Sequence, residues 1–320
     1  FIFDENGNCT TSQQERAPDG GADGYESLGN AATAKNILTV GAVEGIEGGY
    51  AAPSDVQMSS FSSWGPTDDG RLKPDLVAKG VSVLSSWSGS DTDYRSIPGT
   101  SMSSPMVSGS VALLQEHYRS IHGQDPWAST IKSVLIHTAD EAGNAGPDYK
   151  FGWGLMNVER AAELMSRDGR LGGGVYVQER TLSEGETLAY RVSSDGSEPL
   201  RTSIAWTDPA GTVPSLQLDP SDRMLVNDLN VHVEDPDGTV HRPYVMDPAN
   251  PDRPASRGDN ERDNVEQVLV ENAQAGQYIV RVSHDGALKG GAQDLSIALT
   301  GGVPDAAVPP PGEFAAAPTG

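Results

Sequence analysis

One serine in this chain lies where nucleophilic chemistry is favoured. Residues 99–105 read Gly-Thr-Ser-Met-Ser-Ser-Pro, and the apolar pattern that follows has helical spacing, which predicts a helix from Ser101 to about Arg119. Pro105 suits the first turn, where its missing N–H costs no hydrogen bond. First-turn N–H groups and the helix dipole stabilise negative charge, as acyl transfer requires. The pattern also fits a second interpretation, in which Thr100 or Ser101 only caps the helix.

The elements around this serine are typical of an α/β domain. Residues 36–43 predict a buried strand, residues 76–84 a second strand region, and residues 129–139 a second helix. Short strands that alternate with helices indicate a parallel sheet with flanking helices. We therefore expect residues 1–167 to form one α/β unit that positions the serine.

The pattern changes at about residue 168. Five runs then alternate apolar and polar residues, at 188–192, 202–206, 229–233, 278–282 and 295–299. Such strands, separated by turns and not by helices, predict an all-β antiparallel sandwich or jelly roll over residues 168–302. Residues 303–320 are rich in Pro and Ala without periodicity, and we expect a flexible tail there.

Composition excludes several classes of protein. The 320 residues are enough for two domains. A net charge of -23 argues against nucleic acid, whose binders cluster Lys and Arg. The hydrophobic fraction is 36%, and no apolar run approaches the twenty or so residues of a membrane span. The surplus acid fits a solvated surface, adaptation to salt, or carboxylate clusters that bind calcium, and composition leaves all three open.

The segment around the serine also resembles a known family. Residues 99–105, followed by Val107, Gly109 and Ala112, are similar to the active-serine signature of subtilases, the subtilisin-like serine proteases. Four further segments occur in that family's order, at 32–42, 61–66, 70–75 and 152–158. The resemblance implies a partial subtilisin-like α/β fold over residues 1–167, corresponding to the C-terminal half of the catalytic domain.

The resemblance continues beyond the catalytic domain. Residues 206–208, 225–229 and 263–266 resemble parts of the C-terminal β-domain found in oxidatively stable alkaline subtilases. The family implies a serine endopeptidase that acts on polypeptides, and it implies a secreted or cell-surface location.

The family assigns roles to individual residues of this chain. Ser101 matches the nucleophile that forms the acyl-enzyme, and Gly99 and Thr100 match positions that shape its turn and bind the substrate. A side-chain amide helps to form the oxyanion hole in subtilases, and Asn8, in the pair Gly7-Asn8, best matches that asparagine. The same match assigns Gly7 to the substrate-binding site.

Two further expectations depend on this alignment. A second Gly-Asn pair, at residues 29–30, is the alternative to Asn8, although it directly adjoins the next predicted strand. With Asn8 as the oxyanion residue, Glu5 would lie on the wall of the pocket that receives the side chain before the scissile bond. An acid there favours substrates with Lys or Arg.

The other two members of the triad are missing. Subtilases place the aspartate and a histidine in a His-Gly-Thr context before the oxyanion asparagine, and neither segment is present here. All six histidines follow Ser101, at positions 117, 122, 137, 232, 241 and 284. We therefore expect an N-terminal portion of the catalytic domain, upstream of this chain, to supply both residues. The alternative is a non-catalytic protease remnant that acts as a calcium-stabilised binding or structural module.

Oxygen-bearing side chains in the β-domain suggest a structural Ca²⁺ site. Calcium binds carboxylate, amide and backbone oxygens, and related β-domains contain such sites. The expected ligands are Asp228, Asn230, Asp247, Asp263 and Glu266. The alternative is that these side chains only cap turns, as Asp and Asn often do.

Overall fold

A computed structural model describes residues 2–3, 9–10, 24–215 and 220–304. The N-terminal elements are strands β1 (Ile2–Phe3), β2 (Cys9–Thr10), β3 (Val40–Val43), β4 (Leu76–Lys79), β5 (Val83–Ser86) and β6 (Tyr94–Ile97), and helices α1 (Thr100–His122), α2 (Ala128–Thr138) and α3 (Val158–Arg170). Strands β1 and β2 pair antiparallel, as do β5 and β6, whereas β3 and β4 pair parallel. The parallel sheet expected from the sequence is thus two strands wide in the described part of the chain.

Both predicted helices are confirmed, but the first strand is shorter than expected. The predicted strand at 36–43 is reduced to β3, because only Val40–Val43 pair in register with β4. The Thr39 N–H donates to the Asp75 carboxylate at 2.7 Å, and the Asn36 amide donates to the Asp208 carbonyl at 2.9 Å. These bonds fix the entry into β3.

The C-terminal elements are all strands. They are β7 (Val177–Ser183), β8 (Leu188–Asp195), β9 (Leu200–Trp206), β10 (Asp228–Glu234), β11 (Val240–His241), β12 (Tyr244–Val245), β13 (Ser256–Arg257), β14 (Val265–Val270), β15 (Ala275–Asp285), β16 (Ala292–Thr300) and β17 (Val303–Pro304). One antiparallel sheet has the order β11-β10-β15-β8-β17, and another has the order β14-β9-β16-β7. The five predicted strands are confirmed, and the jelly-roll connectivity stays a prediction.

One hydrophobic cluster joins the two halves of the chain. It contains Leu76 of β4, Leu114 of α1, Leu135 of α2, Ile204 of β9 and Val280 of β15, all buried. Helix α2 lies on β9 and β16, so one side of the four-stranded sheet is covered by a helix. The division into two domains at residue 167 stays a prediction.

The contact between α2 and this sheet is also polar. The Ser129 hydroxyl lies 2.8 Å from that of Ser296. The His137 ring bonds through Nδ1 to the Ser203 hydroxyl at 2.9 Å and through Nε2 to the Thr300 hydroxyl at 3.0 Å. Burial lowers the pKa of His137 well below its usual value, and the positive charge of Arg201 adds to this effect. His137 is therefore a neutral hydrogen-bonding residue in this interface.

The end of the described chain departs from the expectation of a tail beginning at residue 303. Val303 and Pro304 form β17, which pairs with Ser193 and Val192 of β8. Without β17, the backbone N–H and C=O groups on this edge of β8 would be unpaired, and β17 provides partners for them. Residues 305–320 lie outside the described residues. Among the helices of the described ranges, none is long and apolar enough to cross a membrane.

Candidate active site

The turn that precedes Ser101 is attached to the carboxyl ends of the parallel strands. The Gly80 N–H donates to the Val43 carbonyl at 2.9 Å, and the Gly99 N–H donates to the Gly80 carbonyl at 2.8 Å. Gly99 has a φ of +152°, which side-chain-bearing residues rarely adopt. These two bonds place Ser101 at the edge of the sheet where open α/β folds bind their ligands.

Ser101 is exposed in the first turn of α1, and its hydroxyl has no structural task among the described residues. Gly99 is the N-cap, and no side chain caps this helix. The backbone N–H groups of Met102 and Ser103 bond to the Gly99 carbonyl at 2.9 and 3.4 Å. The structure thus argues against the capping interpretation, because neither Thr100 nor Ser101 provides a cap.

A buried ionic cluster positions the start of β4. Asp75 accepts a hydrogen bond from Lys73 at 2.5 Å and forms an ion pair with Lys132 at 2.9 Å. Burial lowers the pKa of Lys73 to about 8, and the charge of Lys132 acts in the same direction while Asp75 opposes it. The predicted motif at 70–75 therefore holds in place the strand that leads to Gly80.

The histidines are engaged elsewhere. His117 Nε2 lies 2.8 Å from the Ser166 hydroxyl, and His241 Nε2 lies 3.0 Å from Asp235. The Gly185 N–H donates to His284 Nε2 at 2.8 Å. His122 lies beside Asp168. The remaining two are the buried His137 and His232, a residue of β10. No histidine of the described ranges hydrogen-bonds the Ser101 hydroxyl.

Helix α1 has one buried face and one exposed face that is partly apolar. Ser103, Val107, Leu114 and Tyr118 are buried. On the other side Met106 is 44% exposed and Leu113 is 66% exposed. The neighbouring hairpin exposes Leu84 and Tyr94 as well. Exposed apolar side chains on a helix and on the hairpin before it are characteristic of a contact surface.

Three predicted site residues cannot be placed. Glu5, Gly7 and Asn8 lie outside the described residues, so their assigned roles stay predictions. The competing pair begins at Gly29, which precedes a 3₁₀ turn at Asn30–Thr33.

Two of the predicted calcium ligands are buried carboxylates with an oxygen that has no partner. Glu266 is fully buried, and its Oε2 accepts from the Val231 N–H at 2.7 Å while Oε1 has no hydrogen bond. Asp228 pairs with Arg223 at 2.5 Å through Oδ2, and its Oδ1 is also buried and unpaired. Burial raises the pKa of Glu266 well above its usual value, and nearby carboxylates, Asp228 first, add to this. Burial likewise raises the pKa of Asp228.

The other predicted ligands already have partners or lie apart. Asp263 accepts from the Leu72 N–H at 2.8 Å, and Asp247 accepts within its own turn from the Ala249 N–H at 3.0 Å. Asn230 lies in β10 opposite Ser283. In the described ranges, no three His, Cys, Asp or Glu side chains are arranged to hold a metal ion.

Two further acids lie beside this pair, and the sequence interpretation missed one of them, Asp285. Asp285 is the register partner of Asp228 across β10 and β15, and the negative charge of Asp259 adds to burial in raising the pKa of Asp228. Asp259 could be recognised from the sequence, as the first residue of the acidic run at 259–266 that contains Asp263 and Glu266. Asp285 could not, because only the strand register brings it opposite Asp228.

Comparison with known proteins relates the N-terminal part to one family. Residues 6–154 match the subtilase family of peptidases. The serine protease/ABC transporter B family protein tagA of Dictyostelium discoideum is 30% identical over 185 residues, which is 48% of this chain and 10% of that protein. C5a peptidase of Streptococcus pyogenes serotype M18 is 48% identical over 65 residues, which is 20% of this chain and 6% of that protein.

Subtilisin DY of Bacillus licheniformis is 33% identical over 144 residues, which is 45% of this chain and 43% of that protein. The chain thus spans less than half the length of each of these relatives. The family match includes the turn at Gly99, the helix start at Ser101 and the strand pair that positions them. Residues 6–154, a little less than half of this chain, are thus similar to the subtilase family.

Proposed function

We propose that this chain carries the nucleophile of a serine endopeptidase, which cleaves polypeptides through an acyl-enzyme on Ser101. The observation that carries the proposal is the Ser101 hydroxyl, which is exposed at the N-terminus of α1 and does not cap this helix. It lies within the segment that matches the subtilase family. The triad aspartate and histidine are supplied by a polypeptide segment upstream of this chain. The supplied histidine is essential, because an unassisted serine hydroxyl is a weak nucleophile.

The geometry suits both halves of an acyl transfer. The histidine accepts the proton of Ser101 as Oγ attacks the carbonyl carbon, and it then delivers this proton to the leaving amine as the C–N bond breaks. The Ser101 backbone N–H, in the first turn of α1, is a donor for the oxyanion, and the amide of Asn8 is the proposed second donor. Gly99 lets the substrate approach the backbone closely. Water, activated by the same histidine, then hydrolyses the ester.

The exposed face of α1 supports a supplied segment. Met106 and Leu113 lie on the same helix as Ser101, and Leu84 and Tyr94 lie on the adjacent hairpin. Covering these side chains removes apolar surface from water, which favours association. We propose that the segment carrying the histidine packs here.

Side-chain specificity is a separate proposal. We propose that Glu5 lines the pocket for the residue before the scissile bond and favours Lys or Arg there. Peptides that differ only at that residue test this idea. Faster cleavage after Lys than after Leu, reversed in Glu5→Leu, supports it, and preference for Leu in the unmodified protein rejects it.

We also propose a structural Ca²⁺ in the β-domain. Two buried carboxylates, Asp228 and Glu266, fit a cation because each has one oxygen without a hydrogen-bond partner. Asn230, Asp247 and Asp263 remain the other proposed ligands. The thermal unfolding midpoint is expected to rise with Ca²⁺ and to fall with a chelator, and this difference should vanish in Glu266→Gln. The exposed Glu271, changed to Gln, is the control, and equal midpoints with and without Ca²⁺ refute the site.

We propose a secreted or cell-surface location from similarity to the family. Immunodetection in the culture medium or on intact cells tests it. Protein found only inside the cells would reject it.

The proposed activity is tested with a preparation that contains both this chain and its upstream segment. Hydrolysis of a denatured protein substrate should be abolished by Ser101→Ala. Ser104→Ala is the matched control, because it removes another exposed hydroxyl from the same helix. Equal loss in both variants, or activity that survives Ser101→Ala, would reject Ser101 as the nucleophile and favour the binding or structural module.

A further inference from the structure

A large cleft lies where α3 approaches the end of β9. It has a volume of about 930 Å³, and the residues that bear on its chemistry are His117, Glu163, Arg167, Arg170, Arg201 and Thr300. His117 follows Ser101 by four and a half turns of α1, roughly 24 Å at the helical rise per residue. The cleft is therefore remote from the nucleophile.

Arg201 contributes a guanidinium that is poorly satisfied. One of its five N–H donors bonds to the His137 carbonyl, in the last turn of α2, at 2.7 Å. No carboxylate in the described ranges forms an ion pair with it, since the nearby Asp140 pairs with Arg160 at 2.9 Å. Burial lowers the pKa of Arg201, because desolvation opposes its charge. The charges of Tyr244, Glu141 and Asp140 act in the opposite direction, although none of these groups forms an ion pair with Arg201 in the described ranges.

Two more arginines line the same cleft. Arg167 lies over the Tyr176 ring at 4.4 Å, and Arg170 is exposed at the rim. Neither forms an ion pair in the described part of the chain, although Glu159, Glu163 and Glu198 also line the cleft. Acidic residues outnumber Lys and Arg by 45 to 22 in this chain. Three guanidinium groups without an ion pair around one cavity are therefore unusual in a chain so rich in acidic residues.

We propose that this cleft binds an anion that bears phosphate or carboxylate oxygens, held by Arg201 with Arg167 and Arg170. Guanidinium forks bind both kinds of oxygen in a bidentate manner, and such charge-assisted bonds are the strong ones. The volume admits either an inorganic oxyanion or an organic polycarboxylate. The ligand would accept hydrogen bonds from the guanidinium donors that Arg201 leaves unused.

Titration calorimetry of the full chain tests the proposal, with inorganic phosphate in one series and citrate in another. Sodium chloride is held constant, because salt screens exposed charges. A saturable heat is expected, and Arg201→Gln should weaken the affinity by roughly tenfold to a hundredfold. Arg201→Lys should lose most of the affinity as well, because lysine lacks the fork. Arg191→Gln, an exposed change of equal charge on β8, should leave the affinity unchanged.

The two anions distinguish the sources of the ligand. Binding of phosphate identifies an inorganic oxyanion or phosphate ester, and binding of citrate alone identifies a polycarboxylate. Arg170→Gln serves as the second variant if Arg201→Gln does not fold, and it should weaken the same binding. Absence of heat with both anions at millimolar concentration, or affinity unchanged by Arg201→Gln or by Arg170→Gln, overturns the proposal.

Discussion

Replacing Gly80 by Ala should damage the link that positions Ser101. A Cβ at residue 80 would lie 2.6 Å from the Ala42 Cβ and 2.9 Å from the Gly99 carbonyl oxygen. Carbon atoms prefer a separation of about 3.5–4.0 Å, so one of the two segments must move by roughly 1 Å. Ala42 is fully buried in β3, and the 2.8 Å bond from Gly99 to Gly80 is the weaker restraint.

The expected cost follows from these contacts. Overpacking of this kind costs about 1–3 kcal/mol, and loss of the bond from Gly99 to Gly80 costs about 1 kcal/mol more. The free energy of unfolding should therefore fall by about 2–4 kcal/mol in Gly80→Ala, measured by urea denaturation with circular dichroism.

The control lies on α1. A Cβ added at Gly109 meets no atom within 4 Å, so Gly109→Ala should stabilise the protein by about 0.5–1 kcal/mol through the lower backbone entropy of the unfolded chain. A change of less than about 0.5 kcal/mol in Gly80→Ala would refute this account of the turn.

Further predictions concern the core, the pH dependence and the charge of the protein. Leu114→Ala should lower the free energy of unfolding by about 2–5 kcal/mol, because Leu114 is buried. Leu113→Ala, at the exposed neighbour, should lower it by less than about 0.5 kcal/mol. Equal losses in urea denaturation would contradict the assigned faces of α1. The pKa of Lys73 is about 8 in the folded state and near 10.5 in the unfolded state. As pH rises through that window, the free energy of unfolding of the wild type should therefore increase by about 3 kcal/mol relative to that of Lys73→Met. A difference between the two proteins that does not change with pH would contradict this prediction. The thermal midpoint should rise with sodium chloride, because salt screens the repulsion of a net charge of -23, and a falling midpoint would argue against this.

Local signals predicted the elements near Ser101 well. The apolar spacing after residue 101 predicted α1, and the structure begins that helix at Thr100. The capping interpretation failed because Gly99 is the N-cap, and its φ of +152° is a conformation that the sequence suggests only through the presence of a glycine. Period-two alternation found five strands of the C-terminal sheets. In β8 and β10 buried residues alternate with less buried ones, whereas most of β9 and β16 is buried on both faces.

Long-range pairing could not be inferred in this way. The acid pair of Asp228 and Asp285 results from the register of β10 and β15, which are separated by more than forty residues in the chain. Arg201 directly precedes the predicted strand run at 202–206, and nothing in that pattern indicates a role for it. Its position against the end of α2 depends on how a helix and a sheet from distant segments pack.

The most direct test of the central claim is to map a fluorophosphonate label by mass spectrometry, in a preparation that contains both this chain and its upstream segment. Tryptic cleavage after Arg95 and Arg119 places Ser101 and Ser104 in one peptide, so fragment ions must distinguish them. The account predicts a label on Ser101 that disappears in Ser101→Ala and persists in Ser104→Ala. An unlabelled Ser101, or a label on another serine, would contradict it.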